Sequence, residues 1–295
     1  MAQKQHEFRD GVRITTLCAA LSCAGLAMAA APVLDPLQLE ASVGWDDNLT
    51  RSGEAPSRLG DRLQAISVSR RATIPLAEHM QGVVDGFLSA EALARYEGLD
   101  RLSGGVTGQL QYRPSAAFGA PTFALVAGLQ RDAYRSQQRS GTRFAVDATA
   151  RQSWTDRIDA SAAFGWSRRD ATDGVFDQRE RSLRAHIDYS LGRSGTIYAG
   201  AEQRRGDVVT TSFGYDPAYA GAARAVAPDA AFGPGYLAYR LEGRTMTWTL
   251  GWSLPLGNKR ALDLAWRQAR TSASIPTEAM HYRSTLFSLS YLMQF

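Results

Sequence analysis

From residue 37 onward, apolar residues recur at every second position and not at the 3.6-residue period of a helix. In 102–113, LSGGVTGQLQYR, one face carries Leu102, Gly104, Val106, Gly108, Leu110 and Tyr112. The other carries Ser103, Thr107, Gln109, Gln111 and Arg113. In 143–154, Phe144, Val146, Ala148, Ala150 and Trp154 oppose Arg143, Asp147, Thr149, Arg151 and Ser153. In 157–169, Ile158, Ala160, Ala162, Phe164 and Trp166 oppose Asp159, Ser161, Gly165 and Ser167. Side chains alternate across a strand, so each segment predicts a strand with one apolar and one polar face. The pattern predicts twelve: 37–46, 62–74, 82–96, 102–113, 121–133, 142–154, 157–169, 178–190, 195–206, 238–254, 259–271 and 282–295. The second, third and ninth are the least regular.

The connections alternate in length. Short links rich in Pro, Gly, Asn and Ser follow the second, fourth, sixth, eighth and tenth segments, as tight turns require. The other set is longer and more polar: 47–61, 134–141, 170–177 and above all 207–237, with 97–101 the short exception. An up-and-down antiparallel sheet with two dissimilar ends is expected.

Which face is outside decides the class. A soluble barrel hides its apolar face, and a membrane barrel turns it to lipid. Trp45, Tyr112, Trp154, Trp166 and Tyr189 fall on the apolar face near segment ends, where amphipathic rings meet a headgroup layer. The last segment sets Phe287, Leu289, Tyr291, Met293 and Phe295 in a stripe, with Ser288, Ser290 and Gln294 opposite. That stripe resembles the terminal β-signal of Gram-negative outer-membrane barrels, which the barrel-assembly machinery reads. The expected fold is all-β: a single transmembrane up-and-down antiparallel β-barrel of about twelve strands in the outer-membrane lipid bilayer. An even strand number places both termini in the periplasm and the long loops outside.

The stretches VGWDDNLTR (43–51) and YAGAEQRRGDVVT (198–210) resemble the porin-like outer-membrane β-barrels of proteobacteria, some of them linked to exopolysaccharide loci. The resemblance implies an envelope setting and no defined activity.

The leading segment fits export. Lys4, Arg9 and Arg13 precede the apolar ITTLCAALSCAGLAMAA (14–30), which contains the small-x-small site Ala27-Met28-Ala29. Residues 1–29 are expected to be a cleaved signal peptide and 30–295 the barrel. Cys18 and Cys23, the two cysteines, both lie in the leader, so no disulfide or cysteine-rich zinc framework is expected. Beyond residue 31 no apolar run is long enough for a membrane helix. The net charge is +4, too small for a nucleic-acid footprint. All basic residues except Lys4 and Lys259 are arginine, which keeps its charge and binds two acceptors at once.

The candidate functional surface is the polar inner face. It carries a charged network: Glu91, Arg95, Arg113, Arg143, Asp147, Arg151, Asp159, Arg184, Asp188, Asp263 and Arg267. Residues i and i+4 of a strand are about 13 Å apart, so partners are expected mainly from neighbouring strands. Asp159 is expected close to Arg151 across a tight turn. Barrels of about eight strands are filled by side chains and those of 16–18 leave a channel, so twelve admits both readings. One is a filled or constricted lumen, in a structural barrel accompanying an envelope or exopolysaccharide system. The other is a narrow pore for small or anionic solutes.

The rival class is an outer-membrane lipid hydrolase, a lipid A deacylase or phospholipase. It needs a His base beside a Ser nucleophile, or a His and acidic residues around a metal. His79, His186 and His281 are the histidines beyond the leader. His281 and Ser284 are three apart, on opposite faces of a strand. Asp46-Asp47-Asn48 suits a calcium ion or, more simply, a turn. No catalytic set, metal or cofactor is expected.

Overall fold

In the computed structural model, which describes residues 31–273 and 281–295, one antiparallel sheet contains every strand. The strands are β1 (Val33–Leu34), β2 (Gln38–Asp46), β3 (Asp61–Ala77), β4 (Met80–Leu93), β5 (Arg101–Tyr112), β6 (Thr122–Tyr134) and β7 (Gly141–Thr155). They continue with β8 (Ile158–Ala171), β9 (Gln178–Ser190), β10 (Thr196–Phe213), β11 (Ala225–Pro228), β12 (Tyr236–Pro255), β13 (Arg260–Ala273) and β14 (His281–Gln294). All but β1 and β11 form the wall. Each pairs with its sequence neighbour, and β14 pairs with β2, closing a twelve-stranded barrel. The expected leader, 1–29, lies outside the described residues.

The wall strands coincide with the twelve predicted segments to within a few residues, the ninth excepted. Period-two patterning is the cause: a slip of one residue would exchange the two faces of a strand. Phe164 is 57% exposed and Leu250 52%, whereas the inward Thr247 is 3% exposed. Trp45, Tyr112, Trp154, Trp166 and Tyr189 are all exposed on the outer face. An apolar exterior around a polar interior is the wall of a transmembrane barrel.

The tight connections gather at one end, the turn end. At the β7–β8 turn the Thr155 hydroxyl accepts the backbone N–H groups of Arg157 and Ile158. At the other end, the loop end, the ninth segment departs from expectation. The β10–β12 hairpin continues in register up to Phe213↔Tyr236, so both ends of the expected loop 207–237 are strand. The wall lets it go earlier. Pairing with β9 stops at Gly206↔Glu180, and Gly206 faces Gly243 across the hairpin. Gly206 has φ +147°, and a Cβ there would overlap the Arg179 carbonyl, so only glycine fits.

The buried apolar clusters lie at this loop end rather than inside the barrel. One joins Val175 and Phe176 to Ala238, and another joins Leu93 and Leu99 to Ala231 and Phe232. A third holds Tyr219, Tyr239, Leu241 and Ala273. Each combines the hairpin or its tip with another part of the rim. The freed hairpin therefore folds over the mouth as a cap.

Candidate functional site: the capped lumen

On the inner face most ion pairs run between strands, and two, His186–Asp188 on β9 and Glu202–Arg204 on β10, run along one. Asp147 on β7 reaches Arg184 on β9, passing over Gly165 of β8. A Cβ at Gly165 would strike the Asp147 carboxylate, so the glycine is what lets the pair form. Arg143 and Arg204 both approach Glu180, each at 3.7 Å, and Glu180 is 7% exposed. Glu91 binds Arg101 at 3.1 Å, Asp188 binds the His186 ring at 2.9 Å, and Tyr198 donates to Asp263 at 2.8 Å. Arg267 is inward and exposed to the lumen, and among the described residues no carboxylate lies within 4.0 Å of it.

Two candidate residues lie elsewhere. Arg95 falls on the bend beyond β4, where its backbone N–H donates to Asp61, and Glu91 has Arg101 as its partner instead. The strand ends at Leu93 because the chain there turns to meet Asp61, which also accepts from Tyr96. Arg113 lies just past β5, at the turn end, where its guanidinium donates to the Ala117 carbonyl. The Arg151–Asp159 pair forms at 3.6 Å, but with side chains 64% and 36% exposed it is a solvated pair near the turn end. Asp159 also accepts from Ser153, directly opposite in register.

At the loop end four loops hold the hairpin. On β2–β3, the Thr50 carbonyl accepts from Thr211 and the Arg51 carbonyl from the Thr210 hydroxyl. On β4–β5, Gly98 lies so close to Ala231 that no side chain fits between them. On β6–β7, Arg139 binds Asp229 through Nε at 3.3 Å and Nη2 at 2.5 Å, while stacking on Phe176 and Phe232. On β8–β9, Asp177 meets Arg240 at 3.5 Å. Beneath lies a cavity of about 210 Å³, lined among others by Arg51, Arg204 and Arg267 with Asp46, Glu180 and Asp207.

Titration is shifted at several loop groups, Glu54 and Tyr219 among them. Glu54 on β2–β3 is raised above the ordinary carboxylate range by burial and by its hydrogen bond to, and the charge of, Asp216. Asp216 caps the helical turn Pro217–Ala220 within the cap, accepting from the Ala218 and Tyr219 N–H groups. Burial also raises Tyr219, with the Glu54 charge adding to it.

Asp46 binds Arg51 at 2.7 Å, Asp47 accepts the Thr285 N–H at 2.6 Å, and Asn48 donates to Ser52 and Arg283 carbonyls. These oxygens build a turn. His281 is exposed on the outer side of β14, while Ser284 is 5% exposed on the inner side.

Sequence patterning overlooked Glu180, Arg204, Arg51, Arg139 and Asp229. Glu180 and Arg204 stand at polar positions of their strands and were available to the same alternation. Arg139 and Asp229 lie in loops, where period-two patterning carries no signal.

No family model matches the chain, and no curated protein matches it by sequence. Solved structures do. An outer-membrane channel from Pseudomonas putida F1 aligns over 90% of this chain and 97% of its own, with TM-score 0.52 and 12% identity. The fold is therefore that of an outer-membrane β-barrel. The KdgM porin in complex with oligogalacturonate aligns over 88% and 99%, with TM-score 0.44 and 11% identity. An anion-selective porin from Comamonas acidovorans aligns over 90% and 100%, with TM-score 0.43 and 9% identity.

Proposed function

We propose that this protein is a porin-like outer-membrane barrel passing small hydrophilic, preferentially acidic solutes, gated at its loop end by the β10–β12 hairpin. The observation that carries the reading is Arg267. It stands free in a lumen whose other arginines are largely paired, beside the cavity under the cap. A free guanidinium in a low-dielectric passage attracts anions. In this reading the turn end and both termini are periplasmic, and the loop end is external. The stripe Phe287, Leu289, Tyr291, Met293 and Phe295 on β14, the strand that closes onto β2, serves the barrel-assembly machinery. Anionic segments of envelope polysaccharide belong to the same solute class.

A second reading, a structural barrel accompanying an envelope or exopolysaccharide system, is favoured by the latch itself. Asp229 is fully buried, which suits a permanent closure. Planar-bilayer recording separates the two. Passage requires single-channel conductance with anion-preferring reversal potentials, and Arg267→Glu should move them toward cations. A silent bilayer, for the protein and for a variant with the hairpin latch removed, would leave the structural barrel.

A further inference from the structure

Near the loop end the outer face of the wall changes from apolar to cationic. Trp166 of β8 is in register with Arg181 of β9, Arg181 with Arg205 of β10, and Arg205 with Arg244 of β12. One row thus sets three guanidinium groups on neighbouring strands, all pointing away from the lumen. Arg179 stands on the same face, two residues nearer the loop end. Like charges directly opposite one another destabilise a sheet. Of the carboxylates on this face, Glu242 is held by Arg224 at 2.5 Å and Asp170 by Arg168 at 2.8 Å. Among the described residues none lies within 4.0 Å of Arg179, Arg181, Arg205 or Arg244. Among the described residues Arg244 donates to the Gln203 amide oxygen, at 2.5 Å.

Below the arginines the wall is apolar again. A groove of about 690 Å³ is lined by Arg179, Arg181 and Arg205 together with Phe164, Trp166 and Leu183, and Arg244 borders it as the register partner of Arg205. Its height suits a headgroup layer. Arg181 is eight residues along β9 from Tyr189, about 26 Å of strand and roughly 20 Å of height at a tilt of about 40°. The apolar band of such barrels is about 25 Å tall. Arginine at mid-band is costly, but at the edge it is tolerated and meets phosphate oxygens with a matching fork.

We propose that this groove binds a phosphorylated glycolipid of the loop-side leaflet, its phosphate on Arg181, Arg205 and Arg244 and its acyl chains on Phe164, Trp166 and Leu183. The proposal rests on the outer-membrane reading of the barrel, and not on solute passage. The anion offsets the repulsion among the arginines, and the apolar floor requires that the anion carry a lipid chain.

The test is native mass spectrometry, with thermal melting, on the detergent-solubilised full chain. The probes are diphosphoryl lipid A, its dephosphorylated form, phosphatidylglycerol and inorganic phosphate. The full chain should retain diphosphoryl lipid A and melt higher with it. The combined variant Arg181→Gln, Arg205→Gln, Arg244→Gln should bind about tenfold more weakly or worse, and Arg205→Gln alone should show a partial loss if the triple variant assembles poorly. The dephosphorylated lipid should bind like the triple variant. Equal retention by protein and variants, or equal binding of the dephosphorylated lipid, would overturn the site. Equal binding of phosphatidylglycerol would overturn the glycolipid as its occupant, and full displacement by inorganic phosphate would overturn the need for a lipid. Conductance recorded on the same preparations keeps the two proposals apart, since a silent protein that still binds lipid A refutes only passage.

Discussion

Arg139 holds Asp229 with two guanidinium nitrogens, across the mouth of the barrel, with side chains 18% and 0% exposed. The Thr211 hydroxyl and the Ala231 N–H donate to the same carboxylate. This joins the far part of the cap to the β6–β7 loop. Removing one partner of such a pair strands the other, at a cost of about 3–5 kcal/mol. Asp229→Ala should therefore release the cap. Limited proteolysis should cut within 214–235, and single-channel conductance should rise. A variant as protease-resistant as the parent would show that the latch does not hold the cap.

Gly206 tests the root of the same element. Its φ of +147° and the nearness of the Arg179 carbonyl leave no place for a methyl group. Gly206→Ala should strain the point where β10 leaves β9, costing about 1–3 kcal/mol. The heat-modified shift on a gel should occur at lower temperature, while the outer wall below Glu180 keeps its strand signal. An unchanged transition would mean that the backbone there relaxes freely.

The barrel wall was legible in the sequence and the cap was not, for a physical reason. Wall strands alternate because lipid lies on one side and water on the other, and alternation is what sequence patterning detects. Above Gly206 that asymmetry ends. Val208 and Val209, then Thr210 and Thr211, follow one another as like pairs, and both faces of the hairpin meet protein. On β12 the predicted segment 238–254 already took in Ala238, Tyr239 and Leu241, but their burial against the cap was not visible in it. Charge followed the same rule. Inward arginines were visible from parity, but their partners depend on register two strands away, as with Asp147 and Arg184. Arg95 and Arg113 were carried along by parity past the point where their strands end.

The face assignment has its own test. Phe164 is 57% exposed on the outer wall, while Thr149 points into the lumen. Phe164→Arg should cost about 2–4 kcal/mol on refolding into lipid vesicles, and Thr149→Arg clearly less. A larger loss for Thr149→Arg would invert the barrel.

The two inner-wall pairs should differ. Arg151 and Asp159 are largely solvated, so Asp159→Ala should change stability by about 0–1 kcal/mol. Asp147 is less exposed, at 22%, and reaches Arg184 over Gly165. Asp147→Ala should lower the melting temperature more than Asp159→Ala does. Both variants should bias current toward anions if the lumen conducts. Equal melting temperatures would mean that the upper lumen is as wet as the turn end.

The cap should also respond to pH, through Glu54. In the closed form its carboxyl is raised by burial and by Asp216, with Tyr219 and Tyr239 close enough for its charge to act on them. Protonation lets it share a hydrogen bond with Asp216, and ionisation sets two carboxylates against each other. The sign follows from linkage. A carboxyl raised in the closed form favours closure fully below its ordinary range, and that contribution is lost as pH rises through the raised value. Closure should therefore be firmest in acid and loosen toward neutrality, with channel open probability rising over that interval. Glu54→Gln keeps a neutral donor facing Asp216 at every pH and should flatten the dependence near the acid, closed limit. An open probability that rises with acidity, or a Glu54→Gln variant with the parent's pH profile, would show that this contact does not control the cap.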